Sequence, residues 1–136
     1  MFKCSSVFVL TLMANFSFAK PCIYNGSCFK LNNQHNQSAE IVCHSKYNGF
    51  FPVEAAGNSD GSTQFDISLN DGMGSPEPGQ LQCEINFPGN EASHSFSFHN
   101  PFWGPTMEFT LLSARKMTIV AYDKWGSNQK YFDFSW

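Results

Sequence analysis

The chain has 136 residues, 42% of them hydrophobic and 16% aromatic, with 8 Lys and Arg against 11 Asp and Glu and a net charge of −3. That length holds one packed domain, and a chain this poor in charge and rich in aromatics is not a disordered tail. Mild acidity without any Lys/Arg cluster excludes the electrostatic footprint of a nucleic-acid binder or of a protein held on an anionic membrane.

At the N-terminus, Lys3 is followed by an uncharged stretch from Cys4 to Phe18, then Ala19, Lys20 and Pro21. A cationic start, an apolar centre and small residues at Ser17 and Ala19 predict a secretory signal peptide over 1–19, cleaved after Ala19. The apolar stretch, interrupted by Asn15 and several serines, is too short for a membrane span, which needs about 20 consecutive apolar residues. Residues 20–136 are then a single mature domain, secreted or periplasmic, and loss of Lys3 takes its charge from −3 to −4. Five cysteines become four: Cys22, Cys28, Cys43 and Cys83. In an exported chain these predict two disulfides, with three possible connectivities.

Along the mature chain the apolar period is two, the period of half-buried strands. Short strands are expected at Ser27–Leu31, at Ala39–His44 and at Phe50–Glu54, where Pro52 confines the strand to an edge. Thr63–Leu69 follows, with Phe65, Ile67 and Leu69 on one face, then Gln80–Phe87, with Leu81, Cys83, Ile85 and Phe87 on one face. Ser93–His99 carries Phe96 and Phe98, Thr106–Leu112 carries Met107, Phe109 and Leu111, and Lys116–Tyr122 carries Met117, Ile119 and Ala121. Lys130–Trp136 ends the chain with Phe132, Phe134 and Trp136 on one face.

Turn residues cluster between these runs, at 32–37, 57–62, 70–79, 88–90, 100–105 and 124–128. The pattern predicts an all-β fold, a disulfide-stapled antiparallel β-sandwich of eight or nine strands. Cys43 shares its face with Ala39 and Ile41, and Cys83 with Leu81 and Ile85, so both point into a core and Cys43–Cys83 is the natural bridge. Cys22–Cys28 then closes a short local loop. Loop-closure entropy makes the long bridge worth about 4 kcal/mol and the short one roughly 2 kcal/mol.

No residue set carries recognisable catalysis. None of His35, His44, His94 and His99 has metal-ligand spacing, His94 and His99 fall on opposite strand faces, and no unpaired mature cysteine remains as a nucleophile. We therefore assign no catalytic residue, cofactor or metal. A hydrolase would require His44, His94 or His99 to meet Asp66 or Glu108 in one cleft. Asn58-Ser59-Asp60-Gly61-Ser62 alternates oxygen ligands before a glycine, but it lacks the bidentate acid of a calcium loop, and an Asp-Gly hairpin turn is the simpler expectation.

The binding candidates are aromatic. Asn100-Pro101-Phe102-Trp103-Gly104-Pro105 sets Phe102 and Trp103 between prolines in a turn, and Trp125 sits in another. An exposed rigid aromatic stacks on sugar rings or anchors a protein partner, whereas a ring that folds back caps the open end of the sandwich. The sequons at Asn25 and Asn36 would carry glycans in a eukaryotic source. The alternating aromatics at the C-terminus also suit the last strand of an outer-membrane barrel, but such strands run to about 9–11 residues, longer than those here.

Cys43-His44-Ser45-Lys46, Gly49, the turn-rich middle, Cys83-Glu84-Ile85-Asn86-Phe87 and Ser95-Phe96-Ser97-Phe98 together resemble the plant self-incompatibility protein family, over about half of the mature chain. That family comprises small secreted β-sandwich proteins with a cysteine pair at comparable separation. The additional Cys22/Cys28 pair and the strands after Phe98 depart from it. The resemblance implies an extracellular ligand or effector that binds a receptor without catalysis. Taken together, the sequence predicts a secreted non-enzymatic binding domain acting on an extracellular or periplasmic protein, the alternative being a carbohydrate-binding module that uses Trp103, Phe102 and Trp125.

Overall fold

The computed structural model describes residues 27–45, 52–65, 77–89 and 93–136. The expected signal peptide, Cys22, the Asn25 sequon, Asp66 and the strand residues expected at 50–51 and 66–69 lie outside the described residues. Nine strands are described: β1 (Ser27–Asn33), β2 (Ala39–His44), β3 (Val53–Ala55), β4 (Ser59–Phe65), β5 (Gly79–Asn86), β6 (Ser93–Asn100), β7 (Thr106–Ser113), β8 (Lys116–Tyr122) and β9 (Gln129–Ser135). They make a five-stranded sheet A, ordered β4-β1-β7-β8-β9, and a four-stranded sheet B, ordered β3-β2-β5-β6. The described residues contain no helix long and apolar enough to cross a membrane.

Alternation in the sequence becomes burial between the sheets. Phe29, Leu31, Met107, Phe109, Leu111, Met117, Ile119 and Ala121 from sheet A are fully buried, as are Ile41, Val53, Leu81 and Ile85 from sheet B. Each such large side chain gains about 1.5–3 kcal/mol on leaving water. The sandwich is all-β as expected and antiparallel apart from one pair: β1 runs parallel to β7, with Cys28 opposite Thr106 and Asn33 opposite Leu111. Pro52 does leave its neighbouring strand at an edge, because β3 is the outer strand of sheet B.

Cys43 and Cys83 are bonded as expected and sit directly opposite each other on β2 and β5, with Cα atoms 4.0 Å apart. The staple therefore joins two neighbours within sheet B and does not tie one sheet to the other. Cys28 is disulfide-bonded as well.

The two flanks of the sandwich are closed by different means. On one, the edges of β3 and β4 touch backbone to backbone: a Cβ at Gly61 would run into the Glu54 carbonyl, and the Thr63 hydroxyl donates to the Pro52 carbonyl at 2.9 Å. The expected Asp60-Gly61 turn is corrected here, because both residues lie inside β4 and the chain turns earlier, at Gly57-Asn58, with Asn58 at φ 55°. Gly61 is a glycine to let two edges meet. On the other flank, among the described residues, side chains alone bridge β6 and β9: His94 stacks on Trp136 with centroids 4.3 Å apart, Phe96 meets Phe134 at 5.1 Å, and Phe98 meets Phe132 at 5.0 Å.

Two fully buried asparagines stitch the crossovers between sheets. Asn33, at the end of β1, donates its amide to the carbonyls of Gln37, Ala55 and Ala56 and accepts the His35 N–H. Asn100 does the same work at the opposite end. On the outer face of sheet B, Glu40 of β2 lies directly opposite Glu54 of β3. A hydrogen bond to Glu54, then desolvation, then the charge of Glu54 raise the Glu40 pKa, while the Asn86 side chain opposes them.

Gly61→Ala is expected to lower unfolding free energy by about 2 kcal/mol in denaturant titration of the oxidised protein, because the colliding partner is backbone and has no easy way to yield. For Glu40, a folded pKa above the unfolded value means its contribution is present at acid pH and lost as pH rises through the raised pKa. Glu40→Gln should then match wild type near pH 4 and exceed it at pH 7 by up to about 1 kcal/mol, the size of a cross-strand like-charge penalty. Equal slopes of stability against pH in the two proteins would show that the carboxylates are not coupled.

Candidate functional site

Strand register places both aromatic loops at one end of the sandwich. Thr106 pairs with Tyr122 and Tyr122 with Gln129, so the β6–β7 connection (101–105) and the β8–β9 connection (123–128) emerge side by side along sheet A. Gly79 opposite Asn100 and Cys28 opposite Thr106 bring the starts of β5 and β1 to the same end.

The two loops share a construction. Each opens on an Asx residue whose side chain accepts the backbone N–H two residues on, the Asx-turn arrangement. Asn100 Oδ1 accepts the Phe102 N–H at 3.0 Å, and Asp123 Oδ1 accepts the Trp125 N–H at 3.1 Å. Each has a tryptophan followed by a glycine in the left-handed region, Gly104 at φ 54° and Gly126 at φ 74°. The Asn100 amide also donates to the Phe102 carbonyl at 2.8 Å and the Glu77 carbonyl at 3.3 Å. Asp123 further accepts the N–H groups of Ser127 and Asn128 and the Asn128 side-chain amide. Desolvation works to raise the Asp123 pKa, but the Asn128 side chain and the backbone N–H groups of Ser127, Trp125 and Asn128 outweigh it and hold the carboxyl below its ordinary value.

These scaffolds sort the aromatics. Trp103 is 66% exposed and Trp125 is 65% exposed, while Phe102 is half-buried and packs against the core. The question left open by sequence, a displayed ring or a cap, has a divided answer: Phe102 caps and Trp103 is displayed. The Lys124 ammonium lies 4.8 Å from the Trp125 ring centroid, adding a cation to this otherwise apolar display. Gly104 and Pro105, directly after Trp103, are buried and anchor the loop beneath it. The residues that sequence reading passed over are Asn100 and Asp123. An Asx residue opening a Gly-containing turn was the available signal.

Of the groups a hydrolase would need, Asp66 lies outside the described residues, and the histidines and Glu108 are dispersed. Glu108 lies on the outer face of sheet A, 3.5 Å from Lys30. His44 and His99 lie on the outer face of sheet B, and His94 is stacked on Trp136 at the β6–β9 flank. His35 packs edge-on against Phe87 at 5.7 Å. The oxygen-rich run 58–62 is spread along the turn and β4, and no cluster of three metal-ligating side chains occurs among the described residues. The outer face of sheet B carries a shallow groove of about 330 Å³, lined by Val42, His44, Gln82, Glu84, Asn86 and Ser95.

Asn100→Ala removes an acceptor and a donor from a buried loop junction. It should cost about 2 kcal/mol of unfolding free energy, the range for leaving buried backbone groups unpaired, and Asn100→Asp should cost at least as much at neutral pH, because a buried carboxylate oxygen would replace the amide donor that faces the Phe102 and Glu77 carbonyls. The check is paired denaturant titrations of the two variants. As to kinship, no family profile, curated protein or solved structure matches this chain.

Proposed function

We propose that the protein is a secreted, non-enzymatic binding domain that engages an extracellular or periplasmic protein through the loop end bearing Trp103 and Trp125. The observation that carries this reading is the display itself. Two tryptophans are held about two-thirds exposed at one end, each on a turn fastened by its own Asx residue. Exposing that much indole forgoes the burial these rings would gain in a core. A tryptophan whose loop backbone is already fastened loses less backbone freedom on binding, which favours it as an anchor. The expected signal peptide, the Cys43–Cys83 bridge and the resemblance to the self-incompatibility family support an extracellular setting. Carbohydrate is the second reading, because an exposed indole face suits a sugar ring as well as a protein side chain.

The test immobilises the exported, oxidised protein and measures capture of secreted or envelope proteins, with a glycan array run in parallel. A saturable protein ligand should be weakened about thirtyfold or more by Trp103→Ala or Trp125→Ala, the loss of a hot-spot residue, with unchanged melting temperature. Equal capture by wild type and both variants would move the binding surface away from these loops. A response to glycans that the same variants abolish, without protein capture, would establish the carbohydrate reading instead.

A further inference from the structure

The β6–β9 flank is the open side of the sandwich. Strands β6 and β9 are the outer strands of their sheets, and among the described residues no strand pairs with the far edge of either. Only rings bridge the gap between them, in contrast to the backbone closure at Gly61. An uncovered edge invites another strand, and chains guard against this with charge, proline or brevity. Strand β9 carries Lys130 and Asp133, and β3 has three residues. Strand β6 has eight residues, Ser93-His94-Ser95-Phe96-Ser97-Phe98-His99-Asn100, with no acid, lysine, arginine or proline among them.

The direction of its backbone groups follows from the ladder. The 4.0 Å Cα separation of Cys43 and Cys83 marks the narrow, non-hydrogen-bonded kind of antiparallel pair. Cys83 therefore turns its N–H and C=O toward β6, where its register partner is Phe96. Alternation then commits the backbone groups of His94, Phe96 and Phe98 to β5. Those of Ser95, Ser97 and His99 point off the free edge.

We propose that this edge is the interface of a two-fold dimer, in which β6 pairs antiparallel with β6 of a second copy about Ser97. A two-fold contact requires a self-complementary strand, and β6 has that pattern. Ser97 meets Ser97 of the second copy and Ser95 meets its His99, all through the outward-pointing backbone groups. Phe96 meets the second copy's Phe98 on the inner face. The next partner of Ser93 would be Pro101, which has no N–H, so the ladder ends there. The half-buried rings of Phe132 and Phe134 come toward their counterparts beneath the joined sheet. The strands run in opposite directions across the axis, so the loop ends bearing Trp103 and Trp125 of the two copies lie at opposite ends of the joined sheet, beyond the last ladder bonds.

Analytical ultracentrifugation of the exported, oxidised protein, combined with residue-resolved amide exchange, tests this. Wild type should sediment as two chains, with the Ser95, Ser97 and His99 amides protected. Ser97→Pro removes an outward N–H without touching the bonds to β5, so it should raise the dissociation constant about tenfold or more, by loss of paired backbone hydrogen bonds, and leave far-UV circular dichroism unchanged. Ser95→Pro should do the same, and it stands in if the first variant misfolds. A wild-type protein that stays monomeric across the concentration range overturns the proposal. So does a dimer whose Ser95, Ser97 and His99 amides exchange freely, or one that a folded Ser97→Pro or Ser95→Pro variant leaves intact.

Discussion

Strand β1 lies between β4 and β7, hydrogen-bonded antiparallel to the first and parallel to the second, with Phe29 and Leu31 fully buried beneath it. Without it, sheet A separates into β4 and the β7-β8-β9 meander, which have no other ladder in common. The strand is held at both ends. Cys28 is disulfide-bonded near its start, and at its finish the Asn33 amide reaches the carbonyls of Ala55 and Ala56, where the chain passes from β3 toward β4. That amide makes the position of β4 depend on the end of β1, and the Gly61 contact makes the closed flank depend on β4. Sheet B needs no such outside strand, since β2, β5 and β6 pair as neighbours and Cys43–Cys83 joins two of them covalently.

The loop end shows how a small sandwich can display large apolar rings without surrendering order. A tryptophan in a loose loop would collapse onto the nearest apolar surface. Here the choice is made by polar groups underneath. Asn100 is fully buried and fixes the loop backbone so that Phe102 goes in and Trp103 stays out. Asp123 gathers three backbone N–H groups and an amide, and the loop that carries Trp125 closes around its carboxylate. Display and architecture are thus separable, with the indoles exposed and the Asx side chains holding the shape.

Much of this was legible in the sequence, because face alternation is a local property. Met107, Phe109 and Leu111 had to share a face, and Cys43 and Cys83 had to point inward beside Ile41 and Leu81, whatever the topology. What escaped was non-local or conditional. Nothing local distinguishes a strand paired parallel to a distant neighbour, so the β1–β7 ladder was not foreseeable. Asp60-Gly61 reads as a turn by its chemistry, yet the glycine serves a close approach to Glu54 that exists only once two edges are brought together. Asn33 and Asn100 look like ordinary turn residues until burial shows them to be internal ties. Phe102 and Trp103 are adjacent, so period-two reasoning assigns them opposite directions without saying which one turns inward.

The parallel contact between β1 and β7 also governs the order of events as the protein folds. The ladder from Ala39 to Asn100 in sheet B can assemble from strands that are near in sequence, whereas Cys28 must wait for Thr106 before it gains its parallel partner. Long loop closure of this kind slows folding, because entropy is lost before the contact rewards it. A chain emerging N-terminus first therefore carries Phe29 and Leu31 unburied on that side until β7 follows. Over that interval the segment is exposed to aggregation and is a natural substrate for a holding chaperone. The strand that completes the sheet is thus the earliest made of the described strands and among the last to find its place.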